Sequence, residues 1–282
     1  MAGGTAIPQD PPIPDGLLWH YTDFRAFEGI LGGKFWATDI RYLNDTTEYE
    51  YLIEFAFDAA IAIGSPDPSM PIVSTESIVM TMRRYVKTLS KPAIYVSCFS
   101  RKEDDLSQWR GYSPTPFGLA MGFDEIVLRK CVESQEFEMR DCQYGVDPKA
   151  MQDKLKEFYD RPRSHPAYTD DFNKGLRERP EIFYGMSVQA FCEDLPKNAA
   201  YTKHPAFKAE EEVRVAGEGK AAAKFRTSRS MIVPYIEWEA PLEALRFIVI
   251  GPGPHRNENV ASVRKLWTGG QVAGSLIPFR NW

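Results

Sequence analysis

The order of apolar and polar positions breaks the chain into short elements of two periodicities. Leu17 to Tyr21 is an apolar run that ends in His-Tyr. Thr22 follows it as a helix N-cap, Phe24, Phe27, Ile30 and Leu31 recur at helical spacing, and Gly32-Gly33 ends the helix. His20 and Tyr21 thus stand where a strand hands over to a helix. Phe35 to Ile40 reads as a second strand. Asn44-Asp45 opens a helix with capping-box spacing from Asp45 to Glu48, and Leu52, Ile53, Ala56, Ala60 and Ile63 continue its apolar stripe. Gly64 to Pro71 is a loop.

Downstream, the pattern predicts a helix from Glu76 to Leu89, a buried strand from Ala93 to Phe99 and a polar helical segment from Glu103 to Tyr112. A strand from Phe117 to Phe123, a helix from Asp124 to Cys131 and a strand from Phe137 to Tyr144 follow. Pro148 to about Asp194 is helical in two pieces, broken between Asp160 and Tyr168. Further strands are predicted at Glu211 to Ala216, Arg226 to Trp238, Arg246 to Ile250 and Ser275 to Phe279. A helix from Asn257 to Trp267 is entered through Gly251-Pro-Gly-Pro254.

Strands and helices mix without a βαβ rhythm, so the expected class is α+β. One domain is expected over 17–282, after a flexible, Pro-rich lead-in over 1–16 and with a helical insertion at about 148–194.

Charge narrows the function classes. Lys plus Arg total 34 and Asp plus Glu 39, a net charge of -5. A general electrostatic nucleic-acid binder needs a basic surplus, so any such contact has to be local. Cys98, Cys131, Cys142 and Cys192 form no C-x-x-C pair and the four histidines are spread, so no metal is expected. Cys98 reads as a buried thiol. The start has no basic, apolar signal pattern and no run approaches the roughly 20 apolar residues of a membrane span, so a cytoplasmic protein without a membrane partner is expected.

The chemistry-bearing residues fall in three segments. His20-Tyr21-Thr22 offers an imidazole, a phenol and a hydroxyl; alone it also reads as a half-buried histidine beside a core tyrosine. In Lys208-Ala-Glu-Glu-Glu-Val-Arg214, strand alternation puts Glu210, Glu212 and Arg214 on one face, where the arginine holds a carboxylate ionised. A solvated charge run is the plainer reading. Ser97, Ser100, Trp109 and Tyr112 place hydroxyls and aromatic faces near one strand end. The Gly251-Pro-Gly-Pro254 turn lacks the N–H donors of a phosphate loop, although Arg256 follows it. No Walker loop, GxSxG elbow or HExxH occurs.

In order, LLWHYTDF, RYLNDTTEYE, IYVSCFSRKEDDLSQWRGYS with FGLAMGF, FKAEEEVRV and SLIPFR resemble the DUF2971 family of bacterial and phage proteins. The resemblance runs from about Leu17 to Arg280. The His-Tyr-Thr opening and the late Glu-x-Arg strand are in turn similar to ADP-ribosyltransferase-like folds. That similarity implies a mixed, largely antiparallel split β-sheet with flanking helices and a cleft for NAD, used as substrate. It implies His20 as ribose anchor, Tyr21 or Tyr112 as stacking residue and Glu212 as catalytic acid, with Glu210 as fallback. Thr22, Ser97, Ser100, Trp109 and Arg214 are implied as further residues around the nucleotide. The acceptor would be an unidentified protein or nucleic acid, and the role a toxin or anti-phage effector. The competing expectation is a non-catalytic module that binds a nucleotide or a protein in the same cleft. A phosphodiesterase or nuclease is disfavoured for want of a metal cluster.

Overall fold

The computed structural model describes residues 10–43, 48–65, 74–88, 93–112, 118–164, 180–219, 222–228 and 230–279. The fold is α+β. Twelve strands are present among these residues: β1 (Leu17–Thr22), β2 (Lys34–Asp39), β3 (Ile94–Ser100), β4 (Leu119–Asp124), β5 (Glu138–Asp141), β6 (Gln143–Tyr144), β7 (Thr202–Lys203), β8 (Glu212–Glu218), β9 (Lys224–Thr227), β10 (Ile232–Glu239), β11 (Leu245–Ile250) and β12 (Gln271–Gly274). The α-helices are α1 (Phe24–Leu31), α2 (Glu48–Ile63), α3 (Thr75–Thr88), α4 (Leu106–Tyr112), α5 (Glu125–Ser134), α6 (Pro148–Ser164), α7 (Pro180–Ala199) and α8 (Arg256–Leu266).

Ten of the strands form one sheet in the order β12-β11-β4-β1-β3-β2-β10-β9, with β8 paired to β3 and β5 to β8. Its pairs are antiparallel except β11 with β12. The position of β3 shapes the site. A strand has two edges. One edge of β3 pairs with β8 over its whole length, from Ile94↔Glu218 to Ser100↔Glu212. The other edge is shared. β1 meets it only at Trp19↔Ser100, and β2 only at Thr38↔Val96 and Asp39↔Tyr95. Between those points the sheet opens.

The main core lies against this sheet. Leu18, Phe35, Phe99, Phe123, Val213 and Ile248 are among its buried members, with Phe27 and Ile30 of α1 and Leu128 and Val132 of α5. A second core joins α2, α3, α6 and α7 through Leu52, Ala56, Met82, Leu155 and Phe191. Burial of such side chains contributes roughly 1.5–3 kcal/mol each, so the helical region carries substantial stabilisation of its own. Trp19 and Tyr21 belong to a third cluster, on the opposite face of β1 from Leu18, with Trp109, Phe247 and Val249. Gly122 has no side chain for a reason: a Cβ there would lie 2.8 Å from the Trp19 indole.

Several element boundaries differ from the sequence reading. Thr22 is the last residue of β1, and Asp23 is the N-cap, its carboxylate accepting from the Ala26 N–H at 2.7 Å. A carboxylate outcompetes the preceding hydroxyl because it can reach the orphan N–H while Thr22 stays paired with Leu119. The polar segment from Glu103 becomes helical only at Leu106, because Asp105 caps it through Ser107 and Gln108. The run from Phe137 splits into β5 and β6, which join different sheets. Arg226 to Trp238 is a hairpin of β9 and β10 rather than one strand. The final strand is β12, four residues before the predicted start; Leu276 donates its backbone N–H to Asp104 instead of a ladder. α6 runs through Ser164 and α7 extends to Ala199. The Asn44-Asp45 cap, Leu89, Phe117, Arg280 and residues 165–179 of the insertion lie outside the described residues.

Candidate functional site

A cavity of about 40 Å³ sits at the opening between β1 and β3, roughly the room of three water molecules. β1 supplies Trp19, His20 and Tyr21, and β3 supplies Cys98 and Phe99. α4 supplies Gln108 and Tyr112, the 3-10 turn before β8 supplies Glu210, and the first residue of β8 is Glu212. The opening in the sheet therefore brings together residues from four parts of the chain.

His20 projects from the face of β1 opposite to Tyr21, as alternation requires. Its ring packs against Phe35 and Phe99 with centroids 4.6 and 5.6 Å away. Its Nδ1 lies 2.8 Å from the carbonyl oxygen of Cys98. A carbonyl only accepts, so Nδ1 carries the proton and Nε2 keeps a lone pair. The bond fills the place on β3 that a neighbouring strand would take. Burial pulls the imidazole down to about 4 against a smaller upward effect of the Cys98 bond, so His20 is neutral at neutral pH.

The carboxylates are organised by two cations. Glu212 is 4% exposed. Its Oε1 accepts from Arg214 Nε at 2.9 Å, and its Oε2 accepts from Lys203 Nζ at 2.7 Å and from an Arg214 terminal nitrogen at 3.2 Å. The Cys98 thiol also bonds it. Burial opposes ionisation here, but the charges of Arg214 and Lys203 outweigh it and hold the carboxyl at about 2. Arg214 is fully enclosed, donating also to the Ala200 carbonyl at 3.0 Å. It does not line the cavity; it fixes Glu212.

Glu210 differs. Sequence alternation placed it on a strand beside Glu212, but it ends a 3-10 turn (Pro205–Glu210), and Glu211 takes a left-handed φ of 43° that breaks the alternation. Its side chain is 21% exposed. Oε2 accepts from Lys203 Nζ at 2.7 Å and from the Tyr112 hydroxyl at 3.4 Å. Oε1 has no hydrogen-bond partner among the described residues. Burial raises the Tyr112 phenol above its usual range, helped by the nearby Glu212 charge, so it stays protonated and donates.

The polar groups of most other sequence-predicted residues bond within the fold, and of these residues Tyr21 lines the cavity. The Tyr21 hydroxyl donates to the Lys102 carbonyl at 2.8 Å and accepts from the Asp105 N–H at 3.1 Å, and its ring meets Trp109 edge-on at 4.8 Å. Ser97 joins the Trp36 carbonyl to the Trp238 indole, and Ser100 bonds the Glu210 carbonyl. Trp109 donates to Asp104, which also receives Ser275 and the Leu276 N–H. Thr22 is buried in β1 and, like Ser97, Ser100 and Trp109, lies off the cavity lining.

Two residues escaped the sequence reading. Lys203 is 1% exposed and bridges both carboxylates, with its ammonium 4.9 Å from the Phe207 ring. Its partners follow it by seven and nine residues, a spacing that carries no helical or strand signal. Gln108 is 4% exposed and lines the cavity. A polar residue beside the buried Trp109 was the available clue. Among the described residues no group of three or more His, Cys, Asp or Glu is placed to hold a metal ion, and no helix is long and apolar enough to cross a membrane.

No curated protein and no solved structure matches the chain. The matched family segment takes in Gln108, Tyr112, Lys203, Glu210 and Glu212 and leaves His20 and Cys98 outside it. Over residues 108–215 the chain matches the model of DUF2971, a family described as proteins of unknown function.

Proposed function

We propose that the chain is an NAD-consuming enzyme that transfers ADP-ribose to an acceptor, or to water, with the nicotinamide end of NAD in the cleft between β1 and β3. One observation carries this reading: the sheet opens where His20, Tyr112, Glu210 and Glu212 converge on a single cavity. Cleaving the nicotinamide–ribose C–N bond sends its electron pair to nicotinamide and builds positive charge on the sugar. A carboxylate fixed beside that carbon stabilises the charge more in the transition state than before it. The incoming nucleophile then bonds the anomeric carbon and gives its proton to a nearby base.

Of the two carboxylates, Glu210 suits that role better. Glu212 has both oxygens held by buried cations, which cancel its charge toward a ligand. Glu210 is more exposed, and its Oε1 has no hydrogen-bond partner among the described residues. Glu212 and Arg214 then act as positioning residues that fix Lys203. Neutral His20 presents Nε2 as an acceptor for a ribose hydroxyl. The cavity is too small for the nicotinamide ring and ribose together, so the sugar sits at its mouth, where Glu210 is partly exposed, and the adenosine half lies beyond.

A second reading, a binding module without catalysis, is favoured by the cavity's small size and by the pairing of two carboxylates with two cations. Incubation with NAD separates the two. Released nicotinamide that falls about 100-fold or more in Glu210→Gln supports catalysis. NAD binding without turnover supports a nucleotide-binding module, and neither binding nor turnover overturns the NAD reading and leaves a protein-binding module.

A further inference from the structure

Gln108 lines the cavity, and its side-chain amide makes no hydrogen bond among the described residues. It sits in α4, where its backbone N–H donates to the capping Asp105 carboxylate at 3.2 Å. The side chain is 4% exposed and lines the cavity. Neither its Oε1 nor its Nε2 has a hydrogen-bond partner among the described residues. The fully buried side-chain polar atoms without a partner among the described residues belong to Trp19, Tyr159 and Arg256, so the Gln108 amide keeps the access a ligand needs to bond it. An amide of this kind offers a donor and an acceptor side by side, which fits a second amide edge to edge.

The surroundings narrow the ligand further. Trp19, Phe99 and Tyr112 are among the residues lining the same cavity, aromatic surroundings that suit a flat group. A volume of about 40 Å³ matches a three-atom group such as a carboxamide more closely than a whole ring. We propose that Gln108 is the specificity residue of the cavity, its Nε2 donating to the oxygen and its Oε1 accepting from the nitrogen of the nicotinamide carboxamide. The proposal rests on the NAD reading of the cleft. A carboxylate in place of the carboxamide would set like acceptors against Gln108 Oε1 and lose the preference.

The test compares NAD with its nicotinic acid analogue, in binding and in turnover, on the full chain. Wild type is expected to prefer NAD by about tenfold or more. Gln108→Met, which keeps the volume, and Gln108→Glu, which keeps the shape but cannot donate to the carbonyl, are both expected to lose about tenfold in NAD affinity and most of the preference. Thermal melting close to wild type shows that each variant is folded. NAD handled equally well by wild type and both variants, or a preference that survives substitution, overturns the role of Gln108 and leaves the NAD reading standing. A wild-type chain that neither binds nor turns over NAD or the analogue overturns both.

Discussion

The His20 imidazole is tied through Nδ1 to the Cys98 carbonyl at 2.8 Å, across the gap where β1 and β3 stop pairing. The bond orients the ring and assigns its free lone pair to Nε2. It also makes a prediction about protonation. The folded-state pKa is lowered to about 4 from an ordinary 6.5. A depressed histidine favours the unfolded state once that state binds the proton, so stability should fall as pH drops from about 6.5 toward 4 and be unaffected above. NMR of the ring should show no titration of His20 between pH 8 and 5. His20→Phe, which removes the bond to the Cys98 carbonyl, should cost about 1–3 kcal/mol in urea unfolding.

Glu212 and Glu210 should separate by stability. Glu212→Gln leaves Arg214 and Lys203 buried with half their counter-charge, and removal of one partner of a buried pair costs about 3–5 kcal/mol. Glu210→Gln, at a partly exposed position, should cost about 1 kcal/mol or less. Denaturant melts of the two variants decide this. The Glu212 carboxyl is held at about 2, below its ordinary 4.5. Its stabilisation is therefore complete above about 4.5 and lost as pH falls toward 2. That acid-dependent slope should be missing in Glu212→Gln.

Asp104 ties three segments together. Its carboxylate receives the Trp109 indole N–H, the Ser275 hydroxyl and the Leu276 backbone N–H, and its φ is 43°. Asp104→Ala loses all three bonds and adds strain at a left-handed position, so a loss of about 2–4 kcal/mol is expected. Asp104→Asn tolerates the backbone and keeps acceptor capacity, and should lose less. Chemical unfolding of both variants measures the difference.

Much of the site was legible in the sequence because its parts are short and local. The apolar run ending in His20-Tyr21 marks a strand end, and alternation through β8 correctly sets Glu212 and Arg214 on one face. What was not legible is tertiary. Tyr21 stands next to His20 in the chain, yet its hydroxyl is consumed by the 102–105 loop. Glu210 lies two residues before Glu212, but the left-handed Glu211 gives it a different environment. The opening of the sheet depends on β1 and β2 sharing one edge of β3, and no local pattern encodes that. Lys203 reads as a solvated lysine until β7 is placed beside the 3-10 turn. Around the cavity His20, Tyr21 and Glu212 are joined by Gln108, Tyr112 and Glu210, with Arg214 and Lys203 bonded to the carboxylates.

The most direct measurement is nicotinamide release from NAD by the wild-type chain beside Glu210→Gln and Glu212→Gln, each checked for folding. Turnover is expected in wild type, with a loss of about 100-fold or more in Glu210→Gln at near-native stability. Undiminished turnover in Glu210→Gln, or no turnover and no NAD binding in wild type, would contradict that expectation.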